Sequence, residues 1–203
     1  MTAHAPSTRL LLVRHGQSTW NADGRWQGQA DPPLSEVGEA QAREAASRLE
    51  RPDAVWSSDL VRARSTADEL AAQHGIDVQV DVRLRERHAG PWQGRTREEI
   101  EDEWPGFLAS GERPDGYEGD DSLVARVLEA LDAIADAHFG ATVAVVTHGG
   151  VVGGLERYLG AARDGRIPNL GGRQLLRDLS GRWVTGERVL LLGDDSVTVP
   201  GQL

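Results

Sequence analysis

Two basic side chains and a glycine follow directly after an apolar run near the start of the chain. The run RLLLV, at residues 9–13, predicts a strand that is buried on both faces, and Arg14, His15 and Gly16 come next. Burying an arginine beside a titratable histidine costs desolvation free energy unless an anion lies between them. The order of these residues therefore indicates an anion-binding site at the end of the strand.

A second predicted strand ends in a similar way. The apolar run ATVAVVT is followed by His148 and two glycines. In open α/β sheets, ligands bind outside the carboxyl ends of the strands, so we expect His15 and His148 to face one another at that edge. The adjacent glycines would let the backbone approach a ligand closely. Three other histidines are assigned no role in this site: His4, His74 and His138.

Phosphate is the anion that suits these groups best. An arginine offers a planar fork of donors to two oxygens, and a protonated histidine offers one donor more. Arg62 and Arg64 lie at the start of a predicted helix, where backbone amides also meet anions. Because the two arginines are about 200° apart around the helix, only one of them can face the site. A metal-dependent hydrolase that uses His15, His148 and an acid stays as an alternative, although a fixed guanidinium would repel the metal ion.

The composition narrows the classes of function. A chain of 203 residues with 39% hydrophobic and 27% charged residues predicts one globular domain over residues 1–203. The net charge of -10 argues against a nucleic-acid partner. All 22 basic residues are arginines and there is no cysteine, which excludes lysine and thiolate nucleophiles and disulfides.

No apolar stretch reaches the ~20 residues of a membrane span. Because the beginning, MTAHAPST, is too short and polar for a secretory signal, we expect a cytoplasmic protein with no membrane partner.

Strands and helices alternate along the chain. Apolar runs predict strands at residues 9–13, 53–58, 76–80 and 141–150, and short strands at residues 173–193 around turns at Gly181 and Gly186. Amphipathic patterns predict helices over residues 34–50 (Ser35 as N-cap), 60–75 (closed by Gly75), 122–140 and 149–160. This order is typical of an α/β fold with a mostly parallel sheet and helices on both of its faces.

The stretch at residues 83–121 is too long and irregular for a passive connection. Connections beyond ~12–15 residues are uncommon in compact domains and are usually lids, binding segments or disordered. Four aromatic side chains make disorder the weaker alternative: Trp92, Trp104, Phe107 and Tyr117. We therefore expect residues 83–121 to form a small cap over the site.

Five segments resemble, in order and spacing, the signature segments of the histidine phosphatase superfamily in its phosphoglycerate mutase-like branch. They are LVRHGQSTWN, WQGQADPPLSEVG, SSDLVRARSTA, LRERHAGPWQG and VVTHGG, and they run from residue 9 to about residue 150. The resemblance implies a three-layer α/β/α sandwich. It also implies a phosphohistidine intermediate that forms with no metal ion and no other cofactor.

The resemblance gives roles to individual residues. His15 matches the nucleophile, and Glu86 matches the carboxylate that acts as acid and base. The positions that match the phosphate pocket are Arg14, Asn21, Gln27, Gly28, Arg62 and His148, with a protonated His148 also counted as catalytic. Arg62 rather than Arg64 directly precedes the alanine of the matching segment VRA. Glu86 can protonate the leaving oxygen if partial burial keeps it protonated, and His88 is a less favoured candidate for the pocket.

Hydrolysis of a small phosphomonoester is favoured over the alternative, a cofactor-dependent phosphoglycerate mutase. A mutase must hold a second phosphorylated acid, whereas the predicted cap is acidic and has no lysine. The segments SSDLVRA, LRERHAGPWQG and NLGGRQLLRDLSGRW are similar to those of glucosyl-3-phosphoglycerate phosphatases, so that ester is a candidate substrate. The sequence departs from the family pattern at Asp120-Asp121-Ser122, in place of Gly-Glu-Ser, at the substrate end of the pocket.

Two further expectations concern activity and assembly. An inactive binding module of the same fold is disfavoured because every residue of the pocket is present. A homodimer is an assembly that the sequence leaves open.

Overall fold

A mixed sheet runs through the molecule. The computed structural model describes residues 7–162 and 165–201, and its strands are β1 (Thr8–Arg14), β2 (Ala54–Ser57), β3 (Val78–Val80), β4 (Thr142–Thr147), β5 (Gly171–Arg177) and β6 (Trp183–Leu190). They lie in the order β3-β2-β4-β1-β5-β6. Neighbours from β3 to β1 are parallel, and the pairs β1–β5 and β5–β6 are antiparallel. Among the described strands, β5 alone therefore runs against the rest, which confirms the predicted, mostly parallel sheet.

Helices cover both faces of the sheet. They are α1 (Thr19–Ala22), α2 (Glu36–Arg48), α3 (Val61–Ala72), α4 (Arg97–Glu103), α5 (Phe107–Ser110), α6 (Asp120–Ala137) and α7 (Gly149–Tyr158). Because side chains alternate along a strand, Val143 and Val145 pack with α6 and α7, while Ala144 and Val146 pack with α2 and α3. The three-layer α/β/α sandwich is thus confirmed. None of the helices in the described ranges is both long and apolar enough to cross a bilayer.

The predicted ends of two helices are confirmed by their hydrogen bonds. The Ser35 side-chain oxygen accepts from the Gly38 N–H at 3.1 Å, which caps α2. Gly75 follows α3 with a φ of 66°, and the Ile76 N–H donates to the Ala71 carbonyl at 3.1 Å. These are features of a Schellman motif, in which glycine adopts the left-handed conformation without a steric penalty.

The predicted turn at Gly181 is confirmed, whereas the predicted turn at Gly186 is wrong. β5 and β6 form a hairpin around Gly181, which has a φ of 81°. Gly186 lies inside β6, where the pairing with β5 shifts register opposite Gln174. A Cβ atom on Gly186 would lie 3.0 Å from the Cβ atom of Gln174. The glycine therefore serves close packing at a bulge.

Between β3 and α6 the chain forms short helices around a small apolar cluster. Two 3-10 helices, Val82–Leu84 and Gly90–Trp92, precede α4 and α5. The cluster contains Trp26, Ala89, Trp92 and Ile100, with Trp104, Phe107, Leu108 and Tyr117 packed against it. The Arg126 guanidinium of α6 donates to the carbonyls of Arg83 and Arg85 at 2.7 Å each. It also donates to the Glu86 carbonyl at 3.0 Å, and these bonds fix the backbone that carries Glu86.

Candidate active site

The two predicted site histidines follow neighbouring strands and meet at one edge of the sheet. Arg14 ends β1 in register with Thr147 at the end of β4, and the His15 N–H donates to the Thr147 carbonyl at 3.0 Å. The ring centroids of His15 and His148 are 5.2 Å apart. The parallel pairing of β1 with β4 thus places both rings in one buried region.

The His15 ring is held in one tautomer. Its Nδ1 lies 2.6 Å from the Gly16 carbonyl oxygen, which can only accept, so Nδ1 carries the proton. Nε2 lies 3.3 Å from Arg62 Nε and accepts from it. Burial, with Arg62 and then Arg14 nearby, lowers the pKa of His15 well below its usual 6.5. The ring is therefore neutral at physiological pH and its unprotonated nitrogen is Nε2.

The backbone around His15 is fixed by two polar residues that the sequence did not single out. Asn169 Nδ2 donates to the His15 carbonyl at 2.9 Å. The Gly16 N–H donates to Thr66 Oγ1 at 3.1 Å, and this hydroxyl donates to the Arg62 carbonyl at 2.8 Å. Both side chains are 0% exposed, so these bonds are shielded from water. Asn169 lies in the segment NLGG, and this segment was the only sequence signal that could have identified it.

Arg14 and Arg62 place two cations beside the rings. Arg14 Nη1 donates to the Ile167 carbonyl at 2.8 Å, while its buried Nε has no hydrogen-bond partner within the described part of the chain. Arg62 donates to the carbonyls of Gly28 and Ala30 at 2.8 Å each. Burial lowers the pKa of each arginine to about 10, against the opposing effect of Glu86, so both stay charged at neutral pH.

Arg64 does not reach this region. Its Nε pairs with Asp68 at 2.8 Å one turn further along α3, where both side chains are partly exposed. The helix therefore turns Arg62 inward and Arg64 outward, as the geometry of a helix requires for two positions that are two residues apart.

His148 lies at the N-cap of α7 with its ring fully buried. Neither ring nitrogen has a hydrogen-bond partner in residues 7–162 and 165–201. Burial is the main cause that lowers the pKa of His148 well below 6.5, followed by the charge of Arg62. Burial and the charge of Arg62 thus favour the neutral ring in the free protein, while a protonated His148 against a bound phosphoryl group stays a prediction.

Glu86 accepts two backbone hydrogen bonds, one from the next residue and one from the start of α7. Its Oε1 accepts from the Arg87 N–H at 2.8 Å, and its Oε2 accepts from the Gly150 N–H at 3.0 Å. A Cβ atom on Gly150 would lie 2.3 Å from Glu86 Oε1, so glycine is needed at this position. These two bonds hold the carboxylate in place at the wall of the small cavity.

Five of the predicted site residues line a small cavity of about 40 Å³: Arg14, Asn21, Gln27, Gly28 and Glu86. Ser18 organises two of them, because its backbone N–H donates to Asn21 Oδ1 at 3.3 Å and its hydroxyl donates to Gln27 Oε1 at 2.6 Å. His15, Arg62 and His148 do not line this cavity and have exposed fractions of 1%, 0% and 0%. The structure thus brings all eight predicted residues into one region, with these three side chains in its interior.

The remaining histidines lie elsewhere. His138 accepts a hydrogen bond from Trp56 Nε1 at 3.0 Å, and His74 lies just after α3. His88 is exposed, and its Nδ1 contacts the Gly116 carbonyl. His4 falls outside the described residues.

Comparison with known proteins assigns the chain to a family. The model of the histidine phosphatase superfamily (branch 1) matches residues 10–174. The chain belongs to this superfamily. A metal-independent phosphoserine phosphatase of Arabidopsis thaliana is 46% identical over 156 residues, which are 71% of this chain and 66% of that protein, just under two thirds of its length.

Other relatives of this histidine phosphatase match over more of their length. A glucosyl-3-phosphoglycerate phosphatase of Mycobacterium tuberculosis is 37% identical over 195 residues, 88% of this chain and 87% of that protein. The solved structure of a mycobacterial glucosyl-3-phosphoglycerate phosphatase with VO3 has a TM-score of 0.78 and 32% identity, and the match covers 87% of this chain and 96% of that chain. Proteins named probable phosphoglycerate mutase match as well.

A larger cavity of about 900 Å³ adjoins the small one. The two cavities share Trp26, Arg87, Tyr117 and Gly150 in their walls. The basic residues that line the larger cavity are Arg87, Arg113, Arg157, Arg166 and Arg188, and the acidic ones are Glu118, Asp120 and Glu156. This histidine phosphatase therefore has space for a sizeable group next to the reacting residues.

The neutral, buried rings of His15 and His148 make the stability of the histidine phosphatase depend on pH. Their pKa values are lowered in the folded chain but are about 6.5 in the unfolded chain, which therefore binds more protons below that pH. We expect the free energy of unfolding to be unaffected by these groups above pH 6.5 and to fall by roughly 1–1.5 kcal/mol for each ring by pH 5.5. Urea unfolding from pH 8 to pH 5.5 measures this.

Substitution separates these rings from other titrating groups. His148→Asn should reduce the acid dependence, whereas His88→Asn, at an exposed position, should leave it unchanged. An equal acid dependence in wild type and in His148→Asn would contradict the assignment.

Proposed function

We propose that this histidine phosphatase hydrolyses small phosphomonoesters through a phosphohistidine on His15 Nε2. The observation that carries the proposal is a set of buried polar atoms without partners beside a neutral histidine. These atoms are Arg14 Nε and both ring nitrogens of His148, as far as the chain is described. Buried polar groups are nearly always hydrogen-bonded, and these orphaned atoms belong to two cationic or titratable residues that lie together beside His15, which favours an anionic ligand here. A phosphoryl group offers several acceptor oxygens to this set.

In the first step, His15 Nε2 attacks phosphorus. The N–P bond forms as the bond to the ester oxygen breaks, and the leaving oxygen takes a proton from Glu86. Arg62 Nε, which lies 3.3 Å from Nε2 in the free protein, must turn to a phosphoryl oxygen so that the lone pair is available. Arg14 and Arg62 then offset the negative charge on the oxygens, and His148 provides a further hydrogen bond.

In the second step, a water molecule attacks phosphorus and the N–P bond breaks. Glu86, now ionised, accepts the proton of the water, and His15 Nε2 regains its lone pair. The backbone N–H groups of Arg87 and Gly150 hold the Glu86 carboxylate in place. The first step requires a proton on Glu86, and the second step requires the carboxylate without it.

The proposal includes no metal ion or other cofactor. The two site histidines lie beside the guanidiniums of Arg14 and Arg62, and these cations repel a divalent ion. Within residues 7–162 and 165–201, no group of three His, Cys, Asp or Glu side chains is arranged to hold a metal. The name of the metal-independent phosphoserine phosphatase supports the same conclusion.

The charges of the segment beside the site favour hydrolysis over mutase activity. Residues 83–121, which we propose to act as a cap on the single domain, contribute Arg87, Arg113, Glu118 and Asp120 to the larger cavity. In this set the acids offset the arginines, so the segment itself adds little net attraction for a second phosphorylated acid. The phosphatase names of the matched relatives support this, while a cytoplasmic location and a homodimer stay predictions.

Phosphate release from a panel of esters tests the proposal. We expect release from members of a set containing glucosyl-3-phosphoglycerate, phosphoserine, the two phosphoglycerates and sugar phosphates, and no loss of rate with a chelator. With 3-phosphoglycerate, phosphate release should exceed conversion to the 2-isomer, measured in the same samples. Isomerisation faster than hydrolysis would favour the mutase, and inactivation by the chelator would favour a metal-dependent hydrolase.

A further inference from the structure

Asp120 differs from the other carboxylates of the larger cavity in what it neutralises. Glu118 pairs with Arg126, which does not line that cavity. Glu156 is 1% exposed and is held by Arg173 as well as Arg188. Asp120, by contrast, pairs with two arginines that both line the cavity, so its charge determines how much positive potential Arg87 and Arg157 offer to a substrate.

The carboxylate of Asp120 bridges two elements of the cavity wall. It accepts from Arg157 of α7 at 3.0 Å from both Nε and Nη2, and also from Arg87 Nη2. Mainly because of the hydrogen bond from Arg157, the pKa of Asp120 is lowered, so it is ionised at neutral pH. Its side chain is 53% exposed, whereas that of Arg87 is 10% exposed. Replacing Asp120 therefore disturbs packing little and leaves Arg87 in place.

Arg87 lies where the leaving group of a substrate would be. It directly follows Glu86, the proposed proton donor to the leaving oxygen, and its backbone N–H donates to Glu86 Oε1. Arg87 also lines both cavities. Substituents on the leaving alcohol would therefore extend along Arg87 into the larger cavity, and Asp120 holds the guanidinium that an anionic substituent would seek.

We propose that Asp120 sets the charge selectivity of this site, by occupying Arg87 and Arg157 and so favouring phosphomonoesters whose leaving group carries no second negative charge. The inference rests on the proposed phosphatase function and, within that function, ranks sugar-like or polyol phosphates above esters with a carboxylate on the leaving group, of which glucosyl-3-phosphoglycerate is one. A carboxylate on the leaving group would have to displace Asp120 or lie close to it, and like charges repel.

Two esters that differ at one group test this selectivity. Glycerol 3-phosphate and 3-phosphoglycerate share a three-carbon frame, but one has a hydroxymethyl group where the other has a carboxylate. We expect the wild type to have the higher kcat/KM for glycerol 3-phosphate. Asp120→Asn should shift the ratio of the two kcat/KM values toward 3-phosphoglycerate by roughly 5- to 30-fold, as partly exposed charge pairs allow. If either ester turns over too slowly, both esters are measured as competitive inhibitors of p-nitrophenyl phosphate hydrolysis. The ratio of their inhibition constants (Ki) is then compared between the variants.

Asp121→Asn is the matched control, because it removes the same charge from the neighbouring, exposed residue. Its ratio should stay within about twofold of the wild-type ratio, since charges exposed to solvent are strongly screened. In the double variant Asp120→Asn/Arg87→Gln, most of the shift should be lost, because the guanidinium that Asp120 releases is then absent. Asp120→Ser replaces Asp120→Asn if the latter does not fold.

The outcomes separate the inference from the proposed function. Equal ratios in wild type and Asp120→Asn, or an equal shift in Asp121→Asn, would overturn the role of Asp120 and leave the phosphatase function intact. Failure of the wild type to hydrolyse any phosphomonoester would overturn both. General damage to catalysis would lower both kcat/KM values together and leave the ratio unchanged, and this too would count against the inference.

Discussion

His15→Ala is expected to lower phosphate release by four or more orders of magnitude, roughly the loss seen when an enzyme loses its nucleophile. The Gly16 carbonyl fixes the tautomer of this neutral ring, and its single unprotonated nitrogen lies beside the Arg62 guanidinium. In acid-quenched samples, labelled substrate should leave acid-labile phosphate on the wild-type chain and none on His15→Ala. The label should be on Nε2, because Nδ1 carries the proton donated to Gly16.

A second histidine-to-alanine variant is the control for His15→Ala. His138→Ala removes a histidine that contacts Trp56 far from the site and should keep near-normal activity. If His15→Ala retained more than a few per cent of activity, or if no phosphoenzyme could be trapped on the wild type, another group would have to be the nucleophile.

Glu86→Gln is expected to slow the hydrolysis of alkyl phosphomonoesters by roughly 10²–10⁴-fold, the usual size of general acid catalysis. An alkoxide leaves poorly and needs a proton, whereas nitrophenolate needs almost none. Glu86→Gln should therefore slow the phosphorylation step with p-nitrophenyl phosphate much less than it slows that step with an alkyl ester. Single-turnover kinetics must be used, because Glu86 also serves dephosphorylation and a slow second step would mask the difference.

Arg62→Ala provides the contrast. Arg62 stabilises charge on the phosphoryl oxygens of any substrate, so its loss should slow both substrates by similar factors of roughly 10²–10³. If Glu86→Gln instead slowed both substrates equally, the acid would be a different residue. His88, exposed in the free protein, would be the next to test.

Much of the site could be predicted because its chemistry follows local patterns. An apolar run that ends in Arg-His-Gly and another that ends in His-Gly-Gly indicate two histidines at one sheet edge, and the pairing of β1 with β4 is a common outcome for buried parallel strands. The opposite orientations of Arg62 and Arg64 on α3 likewise follow from the geometry of a helix. The start of α2 and the end of α3 could be predicted for the same reason, because helix caps depend on residues within a few positions.

The features that could not be predicted depend on burial and on long-range contacts. Asn169 reaches the His15 carbonyl from 154 positions away, and nothing near either residue indicates this pairing. The neutral state of His148 in the free protein depends on its burial and on the nearby charge of Arg62, neither of which the sequence around His148 shows. The sequence predicts a turn at Gly186 because glycine is common in turns, whereas its role at a bulge depends on the opposite strand, β5.

The pairing of distant strands also determines when the site can exist during folding. Arg14 reaches the Ile167 carbonyl across 153 positions, and the contact between β1 and β4 is similarly remote in sequence. Contacts of this kind form late, because a long loop must close before they contribute any free energy. During synthesis, β1 leaves the ribosome well before β4 and has no central partner in the sheet until β4 emerges. A chain that stops before β4 would therefore have the nucleophile but no site, and phosphatase activity should appear only in the last stage of folding.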